Sequence, residues 1–149
     1  MKTVHVEART LAPAAEIWRL WLDVENSPQW DTDVEWSRMN GPFSVGHRGE
    51  FKLKNGPRLS FVLDEVREQQ SYANTVRFFP GFHVRFTHEI RRGSGKGIVV
   101  QHGAQFSGPL APILGLVLRK KIHAALSLAM KNMVALAERR PQPAASQAA

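Results

Sequence analysis

The sequence has no cysteine, a single tyrosine and no apolar segment long enough to cross a membrane. The lack of cysteine excludes disulfide bonds, thiol chemistry and zinc sites built on thiolates. The apolar run at 109–118 is far shorter than the roughly 18 residues that a membrane-spanning helix requires. The N-terminal residues alternate in polarity and lack the apolar core of a signal peptide. We therefore expect a soluble, cytoplasmic protein, and we expect no cofactor.

The composition favours one globular domain followed by a short tail. The chain has 149 residues, of which 43% are hydrophobic and 22% are charged. A chain of this size buries roughly 68–70% of the surface that its unfolded form exposes, which allows a substantial core. Residues 141–149 contain only Pro, Gln, Ala and Ser, a composition typical of a disordered tail. The domain is therefore expected to span residues 1–140.

The formal net charge of +7 raises the question of a polyanionic partner. The basic residues are dispersed, and no helix-turn-helix, zinc-finger or RNP-type motif accompanies them, so we expect no nucleic-acid partner. A solvated surface is the favoured interpretation of the Arg119, Lys120 and Lys121 cluster. The alternative is that this cluster and the preceding apolar run make transient contact with an anionic membrane surface. A monomer and a homodimer are both compatible with the sequence.

Hydrophobic periodicity along the chain predicts an α+β fold. Residues 3–8 alternate as a half-buried strand, and Pro13 is well placed to begin a helix over 13–23. A break at 26–28 precedes a short turn or second helix at 28–31. From 33 to 106 the pattern is that of about six consecutive strands separated by turn residues, with Val34 and Trp36 alternating in the first of them. A long helix over 108–140 ends the domain.

The long helix has an unusual first half, because residues 109–118 are apolar on every side. A helix of this kind needs apolar partners on every side, so we expect both of its faces to be covered. The second half is amphipathic, with an apolar stripe that includes Ile122, Leu126, Ala129 and Met133. This half is typical of a helix that packs on one face of a sheet.

The last two predicted strands bring two histidines together. His88 lies on the apolar side of the strand at 82–90, and His102 lies on the apolar side of the strand at 97–106. If the hairpin pairs Ile90 with Val100, the two histidines are directly opposite each other, about 5 Å apart at Cβ. They could be buried and satisfied by neighbours, orient the polar group of a ligand, or move a proton. No third ligand lies at a suitable spacing, so we expect no metal site.

Taken in order, the chain resembles the START-like, helix-grip superfamily, in the branch named for polyketide cyclase/dehydrase and lipid-transport proteins. The resemblance covers residues 3–139. It depends on the Ala-Pro-Ala-Ala-Glu-Ile-Trp segment at 12–18 followed by Asp23 and Pro-Gln-Trp at 28–30, on Gly46 in the turn at 45–48, on Val-Gln-His at 100–102, and on the Phe-Ser-Gly-Pro-Leu-Ala-Pro segment at 106–112.

The resemblance implies a curved antiparallel sheet of six to seven strands wrapped around the C-terminal helix, with two short helices after the first strand. It also implies an apolar cavity between sheet and helix. The branch has no single catalytic motif to transfer. The residues expected to line the cavity are the apolar or histidine positions on the presumed concave face and on the first half of the helix: Trp36, Phe51, Phe86, His88, Val100, His102, Phe106, Leu110, Ile113, Leu114, Val117 and Leu118.

Two functional hypotheses follow. The first is a protein that binds or transports a small hydrophobic ligand, such as a lipid, a polyketide or another aromatic or isoprenoid-like molecule. The alternative is a polyketide cyclase/aromatase or dehydratase in which His88 or His102 carries the proton.

Overall fold

Seven strands form one antiparallel sheet. The structure is a computed structural model and describes residues 2–93 and 95–139. The elements follow one another in the order β1 (Lys2–Thr10), α1 (Ala14–Leu22), a 3-10 helix (Val24–Gln29), β2 (Val34–Met39), β3 (Arg48–Leu53), β4 (Arg58–Arg67), β5 (Ser71–Phe79), β6 (Phe82–Arg92), β7 (Ile98–Ser107) and α2 (Ala111–Arg139). Arg140 and the predicted tail at 141–149 lie outside the described residues.

The sheet has the order β1-β7-β6-β5-β4-β3-β2, in which the first strand pairs with the last one. The strands from β2 to β7 form a meander, since each pairs with its sequence neighbour. The prediction of an α+β helix-grip fold with six to seven strands and a long C-terminal helix is confirmed. The inner face of the sheet carries the apolar side chains, and the outer face carries the polar ones.

The segment after β1 forms two short helices, as predicted, but their boundary differs from the expectation. The 3-10 helix begins at Val24 and contains Pro28, although a helix break was expected at 26–28. The hydrogen bonds of this segment explain the difference, because they run from the amides of Asn26 and Trp30 to the carbonyls of Asp23 and Ser27. Pro28 lacks an amide hydrogen, and none of these bonds requires one there.

A close backbone contact fixes the start of α2 against the β5–β6 turn. Gly108 has a φ of +101°, and a Cβ at this position would lie 2.3 Å from the carbonyl oxygen of Gly81. Only glycine accommodates both this backbone conformation and this close approach. The amide of Leu110 then donates to the same Gly81 oxygen. The chain therefore turns directly from β7 into α2 at one end of the molecule.

Helix α2 packs mainly on β1 and β7 and makes few contacts with β6. Helix α2 approaches the sheet closely at buried Gly115, where an added Cβ would lie 3.0 Å from the Phe106 ring. Among the described residues, none of the helices is long and apolar enough to cross a membrane.

The prediction that both faces of the apolar half-helix are covered is wrong. Ile113, Leu116 and Val117 are 67%, 66% and 69% exposed. They lie at helical spacings of three and four residues, so they share one face, and Gly115 and Leu118 lie on the sheet side. The hydrophobic pattern indicated which residues are apolar, but only the position of α2 decides which of its faces has a partner.

We predict that Gly115→Leu destabilises the fold by about 1–3 kcal/mol, because the added side chain would force α2 away from Phe106. Urea unfolding monitored by circular dichroism measures the change. The matched control is Ala124→Leu, at an exposed position of the same helix, which should have little effect. Equal stability of the two variants would contradict the close packing of α2 on β7.

Candidate functional site

The two histidines meet at the centre of the inner face. β6 and β7 pair in the predicted register, with Ile90 opposite Val100 and His88 opposite His102. The ring centroids of His88 and His102 are 4.9 Å apart, and the rings meet edge to face. The hairpin therefore places both side chains on the concave side, where α1 covers them.

A tryptophan of α1 determines the protonation of His102. The indole Nε1 of Trp21 donates to Nε2 of His102 over 3.2 Å. Because Nε2 accepts this hydrogen bond, the imidazole is neutral and carries its proton on Nδ1. Burial lowers the pKa of His102 to about 4. His102 is 2% exposed, so at neutral pH it contributes a buried acceptor without charge.

His88 is held by the only tyrosine of the chain. The rings of Tyr72 and His88 stack at 3.8 Å with 5° between their planes, and Nδ1 of His88 lies 3.3 Å from the backbone oxygen of Tyr72. A carbonyl only accepts, so Nδ1 donates and Nε2 remains an acceptor. Burial, and to a smaller extent the adjacent His102, hold the pKa of His88 well below 6.5. Both histidines are therefore neutral at physiological pH.

Asp31 is a further titratable group at this site, and the sequence pattern did not indicate it. Burial and, to a smaller extent, the nearby charge of Asp33 together raise the pKa of Asp31 to about 6. Burial also raises the pKa of Tyr72 above its usual range, with a further contribution from the charge of Asp31. Trp30, which precedes Asp31, packs against His102 with 5.9 Å between ring centroids. The chain after the 3-10 helix therefore brings a carboxyl group to the aromatic cluster.

Asn74 adds an unsatisfied polar atom to the same face. It pairs with Phe86 on β6 and Leu63 on β4, two positions along β5 from Tyr72. Its Oδ1 is buried and has no hydrogen-bond partner among the described residues. A buried acceptor without a donor costs about 1–3 kcal/mol, which a ligand that donates a hydrogen bond would recover.

One of the predicted cavity residues, Trp36, lies on the wrong side of the sheet. A β-bulge between Val34 and Trp36 shifts the alternation of β2 by one position. Trp36 therefore pairs with Lys52 and lies under the Arg38 guanidinium, 5.4 Å from the ring centroid, on the outer face. The prediction that Trp36 faces the concave side is wrong because the bulge reverses every side chain that follows it.

The other strand residues predicted for the cavity lie on the inner face. Phe106 and Val100 are fully buried, whereas Phe51 and Phe86 are half-buried. On α2, Leu114 and Leu118 are half-buried on the sheet side. Leu110, Ile113 and Val117 are exposed, so their expected role as cavity walls is not supported by the position of α2.

A line of half-buried apolar side chains lies at the edge of the part of the inner sheet face that α2 covers. We call it the α2–β6 seam; it comprises Phe78 and Phe86 of the sheet and Leu118, Ile122 and Leu126 of α2. On the sheet side, the inward positions within 72–78, 82–90 and 100–106 carry no charged side chain. The seam therefore borders a part of the inner sheet face that has no charged side chain and that contains His88 and Asn74; we call this part the wall.

Two clefts among the described residues lie outside the space between the sheet and α2, although His88 also borders the second of them. One, of about 160 Å³, lies between α1 and the 3-10 helix and includes Arg19, Asp23 and Trp30 in its lining. The other, of about 270 Å³, lies on the polar outer face and includes His5, Arg85 and Gln101. Among residues 2–93 and 95–139, no group of three or more His, Asp or Glu side chains is placed to hold a metal ion.

The sheet that wraps around α2, with titratable groups on its concave side, defines a START-like helix-grip protein. Residues 1–138 match the family described as polyketide cyclase/dehydrase and lipid transport. The chain belongs to this family. No curated protein matches it.

Solved structures share the fold at low sequence identity. Protein MLL2253 from Mesorhizobium loti is 15% identical with a TM-score of 0.73, and the match covers 95% of this chain and 100% of that one. Ara h 8.0201 is 15% identical with a TM-score of 0.66, over 90% of this chain and 98% of that one. DynU16, titled a putative protein in the dynemicin biosynthetic locus, is 15% identical with a TM-score of 0.72; the match covers 93% of this chain and 48% of DynU16.

We predict that Asp31→Asn is more stable than wild type at pH 7, and that this gain in the free energy of unfolding is larger at pH 7 than at pH 4. The folded-state pKa of Asp31 is raised from 3.8 to about 6, so the folded protein binds more protons than the unfolded chain between these values, and stability is lost as the pH rises through them. Asparagine mimics the protonated form. The stability gained by the variant should therefore grow by up to about 3 kcal/mol from pH 4 to pH 7.

Urea unfolding of wild type and variant across this pH range measures the difference. Glu25→Gln, an exposed carboxyl on the 3-10 helix, is the control and should give a nearly flat difference. A flat difference for Asp31→Asn as well would show that this carboxyl is not buried.

Proposed function

We propose that the protein binds a small, neutral hydrophobic molecule in the α2–β6 seam. The observation that carries the proposal is the seam itself, where half-buried apolar side chains of the sheet and α2 border the uncovered part of the inner face. Ligand sites commonly combine such walls with a few convergent polar groups, here His88 and Asn74. The family description, polyketide cyclase/dehydrase and lipid transport, supports an apolar ligand.

Binding requires the seam to widen. Sites for drug-sized ligands usually have volumes of roughly 300–1,000 Å³, and neither of the two clefts described above lies between the sheet and α2. Because α2 makes few contacts with β6, a small displacement away from that strand breaks little packing. The contacts of α2 with β1 and β7, which include the approach of Gly115 to Phe106, would remain in place during such a displacement.

The polar groups of the wall favour a ligand that donates hydrogen bonds and carries no charge. Nε2 of His88 and Oδ1 of Asn74 are both acceptors, so a phenol or alcohol would pair with them. A carboxylate would find acceptors and no cation on this wall, and its desolvation would be uncompensated. We therefore propose phenolic, polyketide-like or isoprenoid-alcohol ligands in preference to fatty acids.

We predict that 2-naphthol binds at least about tenfold more tightly than 2-naphthoate at pH 7.5, because the buried carboxylate would lack a partner. Isothermal titration calorimetry measures both affinities. Replacing Asn74 with Leu should reduce the preference for the naphthol. Equal affinities, or tighter binding of the carboxylate, would contradict a neutral acceptor site.

The double variant Leu118→Ser/Ile122→Ser locates the site, because both residues belong to the seam. It should weaken naphthol binding about tenfold or more through loss of apolar contact. Leu128→Ser is the matched control, since Leu128 lies on the same helix and is 46% exposed. An equal loss in the control would place binding outside the seam.

Acid/base catalysis on a polyketide-like chain is the second candidate function. The depressed pKa values of His88 and His102 make them weak bases that are unprotonated at neutral pH, which disfavours either as a proton donor. Asp31 favours this function more, since its pKa of about 6 lies closer to neutrality. If cyclisation or dehydration is found, Asp31→Asn should abolish turnover while leaving naphthol affinity unchanged. Loss of turnover only in His88→Gln would instead assign the proton transfer to that histidine.

A further inference from the structure

The exposed face of α2 is an apolar surface at one end of the molecule. Ile113, Leu116 and Val117 are each about two-thirds exposed, and Leu110 and Phe79 are 39% and 42% exposed. The hydrogen bond from the Leu110 amide to Gly81 places the β5–β6 turn, with Phe79, beside the first turn of α2. We call these five residues the α2 apolar patch. A contiguous apolar cluster of this kind on a protein surface marks an interaction site.

The surroundings of the patch carry charge of one sign. Arg119, Lys120 and Lys121 are exposed on the next turn of α2, and Arg77 is exposed on β5 close to Phe79. The sequence has no Asp or Glu in 109–137, which includes nearly all of α2, or in 72–88, which includes the β5–β6 turn. The patch is therefore flanked by cations with no carboxylate in either segment that forms it.

We propose that the α2 apolar patch docks on an anionic membrane surface. Apolar side chains at the end of a protein enter the boundary between headgroups and acyl chains, while Lys and Arg beside them pair with anionic lipids. A second copy of this chain fits the patch less well. It would bring the same cations together, and the two segments offer no carboxylate to neutralise them. This proposal does not depend on ligand binding in the seam.

Vesicle co-sedimentation tests the docking with the full chain. Vesicles of phosphatidylcholine containing 30% phosphatidylserine should bind the protein, whereas vesicles of phosphatidylcholine alone should bind it at least tenfold more weakly. Raising the salt from about 0.1 M to 1 M should release most of it, because the Debye length falls from about 10 Å to 3 Å. Strong binding to neutral vesicles, or binding that does not respond to salt, would overturn the proposal.

Two sets of variants separate the apolar and cationic contributions. Ile113→Ser/Leu116→Ser/Val117→Ser should abolish binding. Leu11→Ser should not, because Leu11 is also exposed, at 76%, but lies beside Gly97 at the opposite end of β6 from the patch.

Arg119→Gln/Lys120→Gln/Lys121→Gln should weaken binding roughly 100-fold, at about fivefold for each charge. Lys54→Gln/Arg67→Gln/Lys96→Gln, at exposed positions elsewhere, is the matched charge control and should bind like wild type, apart from a small loss of long-range attraction.

All changed residues are exposed, so urea unfolding should give wild-type stability for every variant. This result would show that a variant that no longer binds vesicles is still folded.

Light scattering measures the oligomeric state. A monomer at micromolar concentration supports the proposal. A dimer that the Ser triple variant dissociates, with no binding of wild type to anionic vesicles, would assign the patch to a second copy and overturn it.

Discussion

A single helix is too narrow to cover the inner face of a seven-stranded sheet, and the rest of the structure follows from that mismatch. A helix with its side chains is about 10–12 Å wide, whereas seven strands spaced about 4.8 Å apart span about 29 Å. Helix α2 covers β1 and β7. The remaining inner face needs other cover, and α1 provides part of it with Trp18 and Trp21, which pack with Phe43, Tyr72 and the two histidines.

The polar groups of the inner face become chemically distinctive under this cover. Trp21 satisfies His102 with one hydrogen bond, and Tyr72 stacks on His88, so both imidazoles remain neutral in the interior. Asn74 has no such partner within the described residues. The wall therefore consists of acceptors without cations, which distinguishes neutral hydroxylated ligands from acids. The outer end of α2 has the opposite character, with apolar side chains flanked by Lys and Arg.

The sequence predicted the parts of this arrangement that depend on local alternation. The register of β6 and β7, and with it the contact between His88 and His102, follows from two strands with clean period-two patterns and a short loop. Trp36 was misplaced because a β-bulge leaves no clear mark in a sequence and reverses the faces after it. The exposed side of α2 was misassigned because hydrophobicity reports what a helix prefers to bury, and the width of the sheet decides what it can bury. Asp31 and Asn74 were missed because their environment is formed by elements distant in the chain.

The central claim is that an apolar ligand enters the seam between α2 and β6, and methyl-labelled NMR tests it most directly. Titration with 2-naphthol should give saturable shifts for the methyl groups of Leu118, Ile122 and Leu126, with ligand-to-methyl nuclear Overhauser effects at the same residues. Ile113, Leu116 and Val117, on the outer side of the helix, should remain unperturbed. Overhauser contacts confined to the outer side, or no saturable shifts at the seam, would contradict the account.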